Sequence, residues 1–242
     1  MESTVVDKLQ LNNIATFYEQ DRFGLVLVKK TAEIIVPRIR GKQTLEMGCS
    51  LLTMSKQLAV AAASLEIVEG ARRFVVLAQQ QLPGVAVYHS LFEEFEPEKT
   101  YEAIVLGNTL HHIQEPGRLL ERIRTWLAPG GCLYLTVPNM FSLHRRMGVK
   151  MGKLQDVFDT TERNEAFAQP GRFTKETLGL LLQESGFSIL SSFGFFLKPF
   201  SDAQMESLNL PEEAINALCE LGMEFEELAC QIYVESTPLH AT

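Results

Sequence analysis

Residues 43–50, QTLEMGCS, read as a short buried strand that halts at a glycine before a helix begins. Thr44, Leu45 and Met47 supply the strand, Glu46 places a charge at its carboxyl end, and residues 51–63 carry apolar side chains at helical spacing. In an open α/β sheet the ligand crevice lies outside such a strand end, so a bound molecule is expected above Gly48.

Downstream of that turn the chain alternates. Residues 64–69 (SLEIVE), 85–88, 101–106 and 132–137 read as further strands, with a helix from Gly70 to Gln81 and another over 116–127 that turns Leu119, Leu120, Ile123 and Leu127 to one face. This alternation implies a parallel sheet with right-handed crossovers. Thr174 caps a later helix that ends at Gly186. Residues 187–198 and 227–236 read as two last strands joined by an acidic helical insertion, residues 202–221, and with no crossover unit between them they can pair antiparallel.

Upstream, residues 4–19 and 25–39 both show helical spacing, separated by Asp21-Arg22-Phe23-Gly24. Phe17, Tyr18 and Phe23 there either pack or belong to a lid over the pocket. Periodicity fails over residues 138–172, where Arg145, Arg146, Lys150 and Lys153 gather. A connection of that length is usually functional or holds short helices of its own. The expectation is one domain over 1–242: N-terminal helices or lid (1–40), a cofactor-binding core (41–137), an active-site cover (138–173), and a C-terminal helix, hairpin strands and acidic insertion (174–242).

The 242 residues are 46% hydrophobic, enough for a full core. Net charge is −8, and residues 201–230 carry eight acidic residues with no Lys or Arg, so the remainder is balanced. Without a broad basic face the chain is a poor candidate for gripping a nucleic-acid backbone. Cys49, Cys132, Cys219 and Cys230 are scattered, with no C-x-x-C pair and no His at metal-ligand spacing, so neither a disulfide framework nor a metal site is indicated. No signal-peptide pattern and no apolar run of about 20 residues is present, which makes a cytoplasmic protein without a membrane span the expectation.

Glu69 lies 21 positions after Gly48 at the end of the second strand, where a carboxylate can accept two hydrogen bonds from a ribose diol or cap the following helix. A pyrophosphate cofactor such as NAD wants G-x-G-x-x-G, but Cys49, Ser50, Leu51 and Leu52 follow Gly48. A nucleoside cofactor without phosphates tolerates that loss better.

These residues resemble those of class I S-adenosylmethionine-dependent methyltransferases of the small-molecule type, similar to those of ubiquinone biosynthesis. The resemblance rests on LEMGCS with Glu69 downstream, on residues 108–139 (NTLHHIQEPGRLLERIRTWLAPGGCLYLTVPN), and on residues 173–187 (FTKETLGLLLQESGF). It implies a three-layer Rossmann-like α/β fold with a seven-stranded, mostly parallel sheet and an antiparallel last strand. It also implies S-adenosyl-L-methionine as cofactor and a small-molecule acceptor. The family pattern puts Glu46, Gly48, Cys49 and Ser50 around the methionine part and Glu69 with Gly70 at the ribose. Ser90, Leu91 and Phe92 would then line the adenine pocket, and Asn108 with Leu110 would sit beneath the sulfonium. The family's loop is usually E/D-x-G-x-G-x-G, and this chain departs from it with E-M-G-C-S-L-L.

His111 and His112 follow the fourth strand and are candidates for a general base, with packing as the other reading. His144, in FSLHRR beside Arg145 and Arg146, is a candidate base or acceptor-orienting group. The two arginines are candidates to hold an anionic group of the acceptor, with Tyr18 as a further substrate contact; the alternative is a solvated basic face. The run Phe193, Phe195, Phe196 and Phe200 reads mainly as core packing, and Cys49 as a small loop residue. The leading expectation is methyl transfer to O, N or C of a small polar metabolite such as a sugar, nucleotide-sugar or secondary metabolite. A binding or regulatory module that kept the fold and lost the reaction is the competing one.

Overall fold

The computed structural model describes residue 11, residues 15–18 and residues 21–239. Residues 11 and 15–18 are helical, and the rest of the expected first helix lies outside the described residues. Helix α1 (Arg22–Ile35) starts three residues before its expected position because Asp21 caps it, its side chain accepting from the Gly24 amide. It gives way to a 3₁₀ turn, Val36–Ile39, at Pro37.

Seven strands follow: β1 (Gln43–Met47), β2 (Ser64–Glu69), β3 (Ala86–His89), β4 (Tyr101–Gly107), β5 (Leu127–Pro138), β6 (Phe187–Phe195) and β7 (Gln231–Pro238). The crossover helices are α2 (Ser55–Ala61), α3 (Arg72–Gln81) and α4 (Pro116–Trp126). The expected cover holds two short helices, α5 (Leu143–Lys150) and α6 (Glu162–Ala166), followed by α7 (Lys175–Glu184). The acidic insertion forms α8 (Asp202–Ser207) and α9 (Glu212–Glu224).

The sheet runs β3-β2-β1-β4-β5-β7-β6, and β7 pairs antiparallel with both of its neighbours. Strand order reverses between β1 and β4, which opens the crevice above β1. Helices α1, α2 and α3 pack on one face, through Leu27, Ile35, Leu58, Phe74 and Ala78. Helices α4 and α7 cover the other through Leu120, Ile123, Leu178 and Leu182. Both faces being covered, β4 reads as a nearly continuous apolar run.

Several boundaries move for local reasons. Helix α2 begins at Ser55, later than residue 51, because residues 50–54 form turns with Ser50 and Leu52 at positive φ. Strand β5 reaches back to Leu127, which pairs with Tyr101 across a register shift. Strand β6 stops at Phe195 because Phe196 adopts φ 66°, and β7 starts at Gln231 because residues 226–228 form a 3₁₀ turn.

Candidate functional site

The carboxyl ends of β1, β2 and β4 open into a cavity of about 1100 Å³, roofed by Leu11, Tyr18 and residues 21–28 on one side and the cover on the other. At its floor Gly48 takes φ +87°, and a Cβ there would lie 3.0 Å from Thr109 Oγ1, which in turn donates to the Met47 carbonyl. Glycine is required by both conformation and space. Two and four residues on, Ser50 and Leu52 also hold positive φ, 43° and 64°. The turn therefore keeps a glycine-like path at the two positions where the family's loop has glycines.

Glu69 is buried at the end of β2, and its carboxylate binds this same turn. Oε2 accepts from the amides of Cys49 (3.0 Å) and Ser50 (3.4 Å), and Oε1 accepts from the Ala71 amide (2.8 Å) at the start of α3. Burial raises its pKa, while the three amide bonds act the other way. Cys49 Sγ also points to Oε2, and burial and the neighbouring carboxylates push its thiol up, so it is an inert thiol.

Glu46 lies one layer below. It is 1% exposed, neither carboxyl oxygen has a hydrogen-bond partner, and burial raises its pKa to about 8. It is therefore largely a neutral acid near pH 7. The structure places Glu46 and Cys49 behind the cavity wall, whereas Gly48, Ser50, Glu69 and Gly70 line it. Leu91 and Phe92 also line it, while Ser90 does not and donates instead to the Leu91 carbonyl. Arg122, which the sequence reading passed over, holds this loop by donating to the carbonyls of Phe92, Glu93 and Phe95.

Asn108 follows β4 at φ 53°, and its side-chain oxygen is buried without a partner against the cavity. Leu110 is fully buried in the core and does not reach the cavity. His111 and His112 both line it. His111 is 3% exposed with Nδ1 unpartnered, and burial with the neighbouring His112 holds its pKa well below 6.5. Burial lowers the pKa of His112 to about 4. Its Nδ1 lies 3.0 Å from the Phe167 carbonyl, which can only accept, so Nδ1 carries the proton and Nε2 accepts from the Tyr18 hydroxyl at 2.8 Å. Tyr18 packs edge-on against Phe74 and Phe167, joining the N-terminal segment to the cover.

Beyond the histidines, a chain of ion pairs closes the cavity. Arg163 of α6 bridges Asp21 and Asp202, at 2.5 and 3.2 Å, and Asp202 also receives Lys198. Burial acts against the Asp202 charge, yet Lys198 and Arg163 outweigh it and lower the pKa. His144 lines this end with its Nδ1 unpartnered, and burial followed by the charge of Lys198 holds its pKa well below 6.5.

The two arginines beside His144 diverge. Arg145 is buried and donates to the carbonyls of Val157 and Asp159, pinning the cover onto α5. Arg146 is exposed, donates to the Phe141 carbonyl, stacks on that ring, and stands outside the cavity. Neither pairs with the acidic insertion; Lys198 and Arg163 do, through Asp202. Phe195 and Phe196 are core residues, while Phe200 lies at the cavity, 40% exposed. Lys198, Asp202 and Gln231 were not singled out by the sequence reading, although the i,i+4 spacing of Lys198 and Asp202 was available to it. Among the described residues no cluster of His, Cys, Asp and Glu could hold a metal ion.

A family model described as a methyltransferase domain matches residues 18–192. The human mitochondrial ubiquinone biosynthesis O-methyltransferase is 27% identical over 128 residues, 50% of this chain and 33% of that protein, so the match spans about a third of the relative's length. A Haloferax volcanii methyltransferase, solved in complex with the Trm112 methyltransferase activator, superposes with a TM-score of 0.65 at 12% identity, covering 95% of this chain and 97% of that one. A Thermotoga maritima S-adenosylmethionine-dependent methyltransferase, described as a possible histamine N-methyltransferase, gives 0.63 at 15% identity over 95% and 96%. At these identities the two structures show the fold alone.

Proposed function

This chain belongs to the class I S-adenosylmethionine-dependent methyltransferase family, and from that premise we propose that it methylates an O, N or C atom of a small polar metabolite. The observation that carries the reading is the pairing of Glu69 with the amides of residues 49 and 50 on the wall of a cavity larger than one cofactor needs.

The residues present fit the cofactor. Glu69 offers a carboxylate at the strand end for the ribose hydroxyls, exchanging its long bond to the Ser50 amide for one of them. Gly48 and Gly70 leave backbone bare at the wall, Leu91 and Phe92 supply apolar surface for the base, and the unpartnered Asn108 oxygen faces the space where the reacting end would lie. S-adenosylmethionine supplies a methyl group already made electrophilic by its sulfonium. The protein's work is then to align the acceptor and exclude water.

His111, His112 and His144 are all held neutral near pH 7, which suits a proton acceptor where the acceptor atom must lose a proton. His112 has both ring nitrogens engaged, and so orients Tyr18; His111 and His144 keep a free Nδ1. Sugar or secondary-metabolite acceptors, whose polar groups are uncharged, fit the neutral polar atoms at the far end of the cavity better than a nucleotide-sugar with its phosphates.

Mass spectrometry of the protein as purified, followed by incubation with methyl-labelled S-adenosylmethionine and a panel of acceptors, tests the reading. Retained adenosyl cofactor and label transfer support it. A protein that binds neither S-adenosylmethionine nor S-adenosylhomocysteine is instead a module that kept the fold, as the glycine-poor loop would allow.

A further inference from the structure

Among the described residues, the buried charges at the end of the cavity away from Glu69 are already engaged within the protein. Asp202 is shared by Lys198 and Arg163, Asp21 by Arg163 and the Gly24 amide, and Arg145 is turned onto two carbonyls. Lys153 stands exposed at the rim. Among the buried polar atoms at this end, His144 Nδ1 and the side-chain oxygen of Gln231 are left unmatched, and both are neutral. Gln231 is 5% exposed, opens β7 between Pro138 and Phe195, and lines the same cavity.

A buried polar atom without a partner costs about 1–3 kcal/mol, and such atoms persist where a ligand completes them. The cavity these two line is also walled by Met140, Met147, Leu154, Phe167 and Phe200, apolar and adaptable side chains.

Building on the methyl-transfer reading, we infer that Gln231 and His144 form the acceptor subsite, and that it takes an uncharged hydroxyl or amine group carried on an apolar body. The ligand's O–H or N–H donates to the Gln231 oxygen while His144 Nδ1 meets the neighbouring polar atom. A carboxylate or phosphate in the same place would bury its charge against the neutral Gln231 and His144 side chains, with Lys198 and Arg163 already engaged by carboxylates and Lys153 out at the exposed rim. Arg145 and Arg146 are thereby removed from acceptor binding.

Calorimetry on the whole chain tests this in two stages. S-adenosylhomocysteine is titrated first; the saturated complex then receives benzyl alcohol or, as its anionic counterpart, benzoate. The alcohol should bind at least ten-fold tighter than the benzoate. Gln231→Leu and, separately, His144→Leu should each weaken the alcohol by ten-fold or more while leaving the S-adenosylhomocysteine affinity within two-fold. Equal or tighter binding of the benzoate, no binding of the alcohol, or indifference to both substitutions overturns the subsite. Absence of S-adenosylhomocysteine binding overturns the methyl-transfer reading along with it, so the two failures are distinct.

Discussion

At the strand-end half of the cavity the polar groups are backbone amides and one carboxylate, all fixed by β1, β2 and the turn between β1 and α2. At the far half they are side chains from residues 21, 163, 198 and 202, brought together across the chain by ion pairs. The first half is held by the sheet whatever the roof does. The second exists only while the N-terminal segment, the cover and the strap after β6 stay in contact. Binding and stability should therefore separate between the halves.

The largest effect belongs to Glu69→Ala. Each hydrogen bond to a charged group is worth about 1.5–3 kcal/mol, so losing two from a ribose should weaken S-adenosylhomocysteine by roughly 100-fold or more. Calorimetry reads that affinity, and a melting scan should move by only a few degrees. Unchanged affinity would break the comparison at its stronger end.

Asp202→Asn should behave in the opposite way. It leaves Lys198 buried, its side chain 6% exposed, and Arg163, 40% exposed, without their shared carboxylate. Removing one partner of a fully buried pair costs about 3–5 kcal/mol, and discounting for Arg163's exposure leaves roughly 2–3 kcal/mol, or about 5–10 °C in Tm. Affinity for S-adenosylhomocysteine should stay within three-fold; a large loss would mean the halves are not separable.

The effect with the least bearing on binding is a dependence of stability on pH. Glu46 has a folded pKa of about 8, above the ordinary carboxylate value, so the folded state holds a proton that the unfolded state has released. Stability from this group is complete below the unfolded value near 4.5 and is lost as pH rises towards 8. Glu46→Gln should remove that slope, raising Tm at pH 8 by several degrees and leaving it nearly unchanged at pH 5. An equal change at both values would deny that Glu46 is buried as an acid.

The same division explains what could be read from sequence. The succession of strands and helices, the possible antiparallel pairing of the last two strands and the position of Glu69 follow from apolar period, glycine placement and spacing, all local signals. The turn at Ser50 and Leu52 was less transparent, because its conformation is set by the sheet and not by glycine at those positions. At the far half, Arg145 and Arg146 sit side by side in sequence, yet one is buried on carbonyls and the other is exposed. No local pattern distinguishes them. Asp202 read as part of a solvated acidic insertion because its partners Lys198 and Arg163 are fixed only by tertiary packing. Gln231 carried no signal beyond being a polar residue at the mouth of a strand.

The most direct measurement of the central claim is a crystal structure of the chain with S-adenosylhomocysteine. The account predicts the ribose hydroxyls at about 3 Å from the Glu69 carboxylate and the cofactor lying along Gly48 and Gly70. A cofactor bound elsewhere, or one in place while Glu69 still keeps all three of its amide bonds and touches no hydroxyl, would contradict it.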